Sequence, residues 1–221
     1  MSPLRRGALI VIEGVDRSGK STQCRKLVQS LKAQNIKAEL MNFPDRTTLI
    51  GKLISEYLQN KNCRLDDHAI HLLFAANRWE KAEEIKSLIS EGTTLIVDRY
   101  SYSGIAFSSA KGVPGMDLNW CKGPEIGLPK PDQVFLLTLN PREAAKRSGF
   151  GEERYENEAM QNSVSKRFSQ LFNGDSEDNW ESVDASGTVE IVQATLLQKV
   201  LRKIGEVQNK PLSVLEFNVS V

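Results

Sequence analysis

The sequence predicts an α/β fold of three layers, with helices on both faces of a five-stranded parallel sheet. Two observations predict it. Short, continuous apolar runs rich in β-branched residues recur along the chain, as strands buried on both faces require. Longer segments of helical period alternate with them, and such alternation implies a parallel sheet wrapped by helices.

The elements follow in order. Gly7–Glu13 reads as the first buried strand. A helix follows, with Cys24, Leu27, Val28 and Leu31 at i, i+3, i+4 and i+7. Lys37–Phe43 is the second strand and Thr47–Gln59 a helix. Asp66–Ser90 is predicted as one long helix with a core stripe of Ala69, Leu72, Leu73 and Ala76, and Asp66 and Asp67 sit at its favourable N-terminal end. Thr93–Val97 and Gln133–Leu139 are the third and fourth strands. A helix near Ser101–Lys111 and a Gly/Pro-rich stretch, Gly112–Pro131, lie between them. Trp180–Asp184 is a short fifth strand. The last helix runs near Val189–Ile204, with Val189, Val192, Leu196 and Val200 on one face. No repeat, low-complexity tract or linker divides the chain, so residues 1–221 are expected to form one domain.

Composition narrows the function. With 29 basic and 28 acidic residues the net charge is +1, against the basic excess of a dedicated nucleic-acid binder. Three scattered cysteines, Cys24, Cys63 and Cys121, form no C-x-x-C and are expected to be free thiols. No apolar run reaches the ~20 residues of a membrane span, and the run Ala8–Ile12 is too short for a secretory signal. The expectation is an intracellular protein with no membrane partner, in cytoplasm, nucleus or mitochondrion. Only two histidines are present, His68 and His71, both expected to be structural or solvent-facing. Chemistry must therefore rest on Lys, Arg, Asp or Glu.

Gly14-Val15-Asp16-Arg17-Ser18-Gly19-Lys20-Ser21 fits G-x-x-x-x-G-K-[ST] and joins an apolar strand to an amphipathic helix. In such a loop, glycines let backbone N–H groups converge on phosphate oxygens at a helix N-terminus. Lys20 is placed to reach the β/γ-phosphates and Ser21 to hold Mg²⁺. A guanine-reading N-K-x-D is missing, since Asn60-Lys61-Asn62-Cys63 and Asn209-Lys210-Pro211-Leu212 both lack its aspartate. The length suits a small-molecule kinase. Asp98 ends the third strand, where ligands gather in an open parallel sheet, and is placed to orient Mg²⁺. Arg99 beside it offers a planar fork to an acceptor phosphate. Phe74 and Arg78 share a helix face off the predicted stripe. Two readings of them stay open on periodicity: a stacking and hydrogen-bonding pair for a base, or ordinary packing. The run Arg142–Arg154 carries Lys146, Arg147 and Arg154, with Gly149 and Gly151 as hinge candidates, and suits either a basic lid or a solvated charged surface.

Several separated segments resemble the thymidylate kinase (dTMP kinase) family of eukaryotic type, in the nucleoside-monophosphate kinase group. They are the loop Gly14–Thr22, Phe43-Pro44-Asp45-Arg46, His71–Trp79, Asp98–Gly104, Leu128–Asp132 and Phe150–Glu156. The resemblance covers about residues 5–205 and implies a P-loop kinase fold, ATP and dTMP as substrates, Mg²⁺ as cofactor, a homodimer, and dTDP on the way to dTTP. It implies that Phe74 and Arg78 stack on and hydrogen-bond the base, and that Arg46 and Arg99 hold the acceptor phosphate. Asp16 is expected near the deoxyribose 3′-hydroxyl or that phosphate. Phe43, Gly104, Phe107 and Tyr155 line the dTMP side, with Phe107 and Tyr155 crowding a ribose 2′-hydroxyl. On the ATP side it implies Arg17 as an internal arginine finger with Ser18, Gly19, Lys20, Ser21 and Thr22. Arg147 is expected near the donor adenine, and Asp184-Ala185-Ser186 as the donor-base loop. The lid is placed at about 142–156 and a C-terminal extension at about 207–221. Arg17, Lys20, Arg46, Arg78, Arg99, Arg147 and Arg154 are thus expected to converge on one anionic cleft.

One departure is Asp45, where the family commonly has Glu. Lys111–Asn119 and the tail after Ile204 match no family segment. Two other functions fit the motifs: another monophosphate or deoxynucleoside kinase, and a non-catalytic ATP-binding module. Arg17 argues against the second, since binding alone needs no finger.

Overall fold

The computed structural model describes residues 5–140, 143–144, 153–174 and 179–217. The strands β1 (Leu9–Gly14), β2 (Ala38–Asn42), β3 (Thr94–Asp98), β4 (Gln133–Thr138) and β5 (Trp180–Asp184) form one parallel sheet in the order β2-β3-β1-β4-β5. The predicted five-stranded α/β architecture is therefore observed. β1 is central, and register pairs Ile12 with Asp98 and Gly14 with Leu137, so three strand ends meet at one edge.

Period-two alternation assigns each strand residue to a layer. Leu9 and Val11 of β1, Leu95 and Val97 of β3, and Val134 and Leu136 of β4 face one core. Ile10, Ile12, Ile96, Phe135 and Leu137 face the other. The second core is closed by α1 (Lys20–Ala33) and α8 (Val189–Val207). The first is closed by α4 (Ala82–Ser90), α5 (Ser101–Ser109) and α7 (Glu158–Gly174). A satellite cluster joins α2 (Leu49–Gln59) to α3 (Asp67–Trp79) through Ile54, Tyr57, Leu58 and Ile70. Among the described residues no helix is long and apolar enough to cross a membrane, and all three cysteines are free.

Three expectations change. The long helix Asp66–Ser90 is two helices, α3 and α4, because their apolar sides serve different neighbours. Ala82, Ile85 and Ile89 pack under the sheet, while Ile70 packs against α2. Lys81, between the helices, is tied to Asp45 at 3.3 Å and Glu84 at 2.9 Å. The predicted stripe is also displaced. Leu72 is 48 % exposed and Ala69 is exposed, whereas Ile70, His71, Ala75, Asn77 and Arg78 are buried. The polar members of that buried face each find a partner, so they outcompete leucines for the interior. Val189 is exposed, and the buried face of α8 begins at Val192.

Two segments escaped the sequence reading. α7 is mostly polar, but Gln161, Val164, Phe168 and Leu171 repeat at three and four residues and are its buried positions. In the Gly/Pro-rich stretch, a short helix α6 (Leu118–Lys122) and a 3₁₀ turn (Gly123–Glu125) bury Cys121 and Glu125. The expected C-terminal extension docks through Leu215, whose N–H donates to Leu128 O at 2.7 Å, and Leu215 and Phe217 join the core. Phe168→Ala should lower unfolding free energy by about 3–5 kcal/mol in urea titration, as for other buried aromatics. Ile191→Ala, at 62 % exposure, should stay within about 0.5 kcal/mol.

Candidate active site

The loop between β1 and α1 wraps into a compact bend. Gly14 has φ +145°, and a Cβ there would lie 2.6 Å from Leu137 O, so only glycine lets β4 run alongside. Gly19, at φ +100°, caps α1 without a side-chain hydrogen bond, which leaves first-turn N–H groups for a ligand anion. Lys20 Nζ folds back over the loop and donates to Val15 O at 2.7 Å and Ser18 Oγ at 3.4 Å. Burial, helped by the Arg99 charge, lowers Lys20 to about 8, while Asp16, Asp98 and Glu13 oppose that shift. Ser18 is buried against this lysine and does not line the cleft.

Ser21 Oγ donates to Asp98 Oδ2, so the helix start and the β3 end present two oxygens side by side. Hard oxygen donors suit Mg²⁺, which takes few protein ligands and fills its shell with phosphates and water. Among the described residues no group of three His, Cys, Asp or Glu could hold a metal alone, and Ser21 with Asp98 fits a metal shared with nucleotide phosphates.

Arg99 follows Asp98 in a left-handed conformation, φ 65°, and Arg17 in the loop has φ 63°. Arg99 Nη1 donates to Gly14 O at 3.2 Å and Ser103 Oγ at 3.1 Å, and Nη2 pairs with Asp16. Beneath them lies Glu13, fully buried. Its carboxylate accepts from Tyr100 N at 2.9 Å, Ser103 N at 3.0 Å and Ser103 Oγ. Desolvation raises its pKa, opposed by Ser103, the Arg99 charge and Tyr100. Asp16 is held from α7: Gln161 Nε2 donates to Asp16 Oδ2 at 2.6 Å, and Asp16 N donates to Gln161 Oε1 at 2.8 Å.

Across the cleft, Arg46 Nη2 pairs with Glu153 at 2.6 Å, and Arg17 Nε donates to Glu156 at 3.1 Å. Asn77 sets the Arg46 loop, accepting from Asp45 N at 2.7 Å and donating to Asp45 O at 3.1 Å. Arg78 is buried in a bidentate pair with Glu125. Phe74 lines the cleft from the same helix face. Phe107 packs between Arg99, 5.2 Å above its ring, and Tyr155, 5.8 Å between centroids.

One cleft of about 780 Å³ gathers Asp16, Arg17, Gly19, Lys20, Ser21, Thr22, Phe43, Arg46, Phe74, Arg78, Asp98, Arg99, Gly104, Phe107 and Tyr155. Asp184, the last residue of β5, and Ala185 after it lie outside its lining, and Asp184 accepts from Ser186 N at 2.9 Å. Arg147 and most of the expected lid lie outside the described residues. Arg154 corrects the expected convergence of cations: it does not line the cleft but stacks 4.1 Å from the Tyr57 ring centroid, and its Nε and Nη2 donate to the Tyr57, Asn60 and Cys63 carbonyls, tying α2 and the turn after it to the segment before α7.

Sequence reasoning missed Glu13, Glu125, Glu153, Glu156 and Gln161. For Glu13 a signal existed, a lone carboxylate closing an otherwise apolar strand. The others lie in irregular segments or in α7.

The sequence model of the thymidylate kinase family matches residues 12–196. The chain is similar to the thymidylate kinase of Danio rerio, 51 % identical over 211 residues, covering 96 % of this chain and 98 % of that one. It is 52 % identical to the thymidylate kinase of Homo sapiens over 211 residues, with the same coverage, 96 % and 98 %. A solved thymidylate kinase structure from Candida albicans, an enzyme of broad substrate specificity, superposes with a TM-score of 0.87 at 39 % identity, covering 96 % of this chain and 99 % of that one.

Phosphate anions around Lys20 should return it to the charged form. Near pH 8, binding of ATP should therefore take up about half a proton. Calorimetry in buffers of different ionisation enthalpy measures this, and the buffer dependence should vanish in Lys20→Met.

Proposed function

The chain belongs to the thymidylate kinase family, and from that premise we propose how its residues divide the work of ATP + dTMP → ADP + dTDP. The activity itself is an ATP-dependent phosphotransfer. The observation that supports the assignment below is that the phosphate loop and the Phe74/Arg78 face line one cleft.

The nucleophile is a phosphate-monoester oxygen with a second pKa of ~6, largely deprotonated at pH 7. No general base is needed. The obstacle is repulsion between two polyanions, so positioning and charge stabilisation do the work. Lys20 and Arg17 neutralise charge on the transferring group, with the loop amides of Ser18, Gly19, Ser21 and Thr22 around the donor phosphates. Ser21 and Asp98 hold Mg²⁺, which offsets phosphate charge when bound. Arg46 and Arg99 align the acceptor phosphate, and Asp16 orients Arg99. Phe74 stacks on the base, Arg78 bonds its edge, and Phe43, Gly104, Phe107 and Tyr155 close around the sugar and base. Arg147, Asp184 and Ala185 are assigned to the donor adenine. Residues 1–221 are read as one catalytic domain.

We also read the protein as a homodimer. Leu49 (80 % exposed) and Leu53 (56 %) are one turn apart on α2, and Leu72 is exposed on α3, which packs against it, apolar surface suited to a second copy. Leu53→Glu should shift the mass measured by light scattering to that of a single chain.

Coupled turnover with dTMP, dUMP, dCMP and AMP tests the acceptor site. Preference for dTMP is expected, and stimulation by AMP alone would sink the reading. Arg17→Ala should lower kcat by about 10³ or more with little change in KM. Phe74→Ala should raise KM for dTMP more than KM for ATP; equal increases would count against base stacking.

A further inference from the structure

The last turns of α3 face two ways. Phe74 and Arg78 line the cleft, while Asn77 stays out of its lining and turns to the loop that carries Arg46. Asn77 is fully buried. Its Oδ1 accepts from Asp45 N at 2.7 Å, and its Nδ2 donates to Asp45 O at 3.1 Å, Thr48 Oγ1 at 3.0 Å and Glu80 Oε2 at 3.1 Å. A carboxamide both donates and accepts in one plane, so it can pair with the N–H and the C=O of a single residue. That two-point hold fixes both peptides flanking Asp45, and Arg46 grows from the second of them.

The rest of the loop is held as closely. Asp45 Oδ1 accepts from Thr47 N at 3.0 Å and Thr47 Oγ1 at 2.6 Å, and Oδ2 pairs with Lys81 at 3.3 Å. From the other side α2 presses on it, since a Cβ on Gly51 would overlap Asp45 O and lie 2.9 Å from Arg46 Cα. The tip of Arg46 is different. Its side chain is 38 % exposed, with Nη1 at 3.3 Å from Ser55 Oγ and Nη2 paired with Glu153. The root of the arginine is fixed while its head is open to a ligand, and a fixed root lowers the ordering cost of binding.

We propose that Asn77 is a positioning residue for the acceptor phosphate: it ties the root of Arg46 to the helix that carries Phe74 and Arg78, so that the phosphate grip and the base grip keep one spacing. The inference rests on the reading of Arg46 as an acceptor-phosphate group and of Phe74 and Arg78 as the base site. A helix turn is rigid, so the spacing suits a base and a phosphate joined through one sugar. Thymidine, which has the base and sugar alone, gains nothing from the hold. An aspartate at position 77 would still accept from Asp45 N but would meet Asp45 O lone pair against lone pair. A serine is too short to span both groups.

The test compares binding of dTMP and of thymidine, by calorimetry, in Asn77→Asp and Asn77→Ser. The serine variant buries no charge and reports even where the aspartate variant does not fold. The Kd for dTMP should rise about tenfold or more, the size of one misplaced charge-assisted contact. The Kd for thymidine and the KM for ATP should stay within about twofold. Arg46→Ala should also weaken dTMP, and Asn77→Ser added to it should weaken dTMP no further. An unchanged Kd for dTMP in the Asn77 variants overturns the proposal, as do additive losses in the double variant. Equal weakening of dTMP and thymidine overturns it too, because a role confined to the packing of α3 would disturb Phe74 and Arg78 as much as Arg46. Hydrogen exchange in the unmodified protein tests it without mutation. The Asn77 side-chain amide hydrogens should stay protected with and without dTMP, and rapid exchange overturns the proposal. Failure of the Arg46 reading looks different: Arg46→Ala would leave the Kd for dTMP unchanged while the Asn77 amide stayed protected.

Discussion

The site hangs on one buried carboxylate. Glu13 closes the central strand and is removed from water, which would be costly for an unpaired charge. It is tolerated because the N-terminal turn of α5 delivers two backbone N–H groups and a serine hydroxyl to it, with Arg99 close by. That single cluster sets the join between β3 and α5, and with it the direction of Arg99. Arg99 in turn reaches Gly14 O and Asp16 in the phosphate loop. Two strand ends, a helix start and the loop are thus tied through one side chain.

The cationic cleft is balanced internally. Arg17, Arg46 and Arg99 each rest against a carboxylate, from Glu156, Glu153 and Asp16. Such pairing lets like charges crowd a concave site before polyanions arrive. On the proposed assignment, phosphates would exchange one set of anionic partners for another, and part of the electrostatic gain on binding would go into displacing Glu153 and Glu156. Both lie on the segment that leads into α7, whose Gln161 also holds Asp16. The same stretch of chain therefore contacts Arg17, Arg46 and Asp16, on the proposed donor and acceptor sides alike.

Most strands and the phosphate loop were legible because their signals are local: apolar runs, a glycine spacing, a carboxylate at a strand end. The fifth strand, Trp180–Asp184, has the predicted bounds. The break between α3 and α4 was not legible, because no glycine or proline marks it and the cause is which neighbour each helix packs on. The face of α3 was misread for a related reason. His71, Asn77 and Arg78 are polar by composition yet buried through partners distant in sequence, Cys121, Asp45 and Glu125. α7 was overlooked because polar residues hide its stripe. The carboxylates that hold the arginines come from segments with no period of their own, so only the folded chain brings them forward. Family resemblance named Phe74, Arg78 and Arg46, where periodicity left the matter open.

Arg17 and Arg99 share a left-handed backbone conformation that glycine adopts freely and a side-chain-bearing residue does not. Each is held there at a cost of about 1 kcal/mol or more. Replacement by glycine relaxes the backbone at either position, but at Arg99 it also strips a charge from buried Glu13 and from Asp16, and at Arg17 from Glu156. Backbone relief and lost pairing therefore pull in opposite directions, and the strained turn persists because the side chain it carries is tied at its far end.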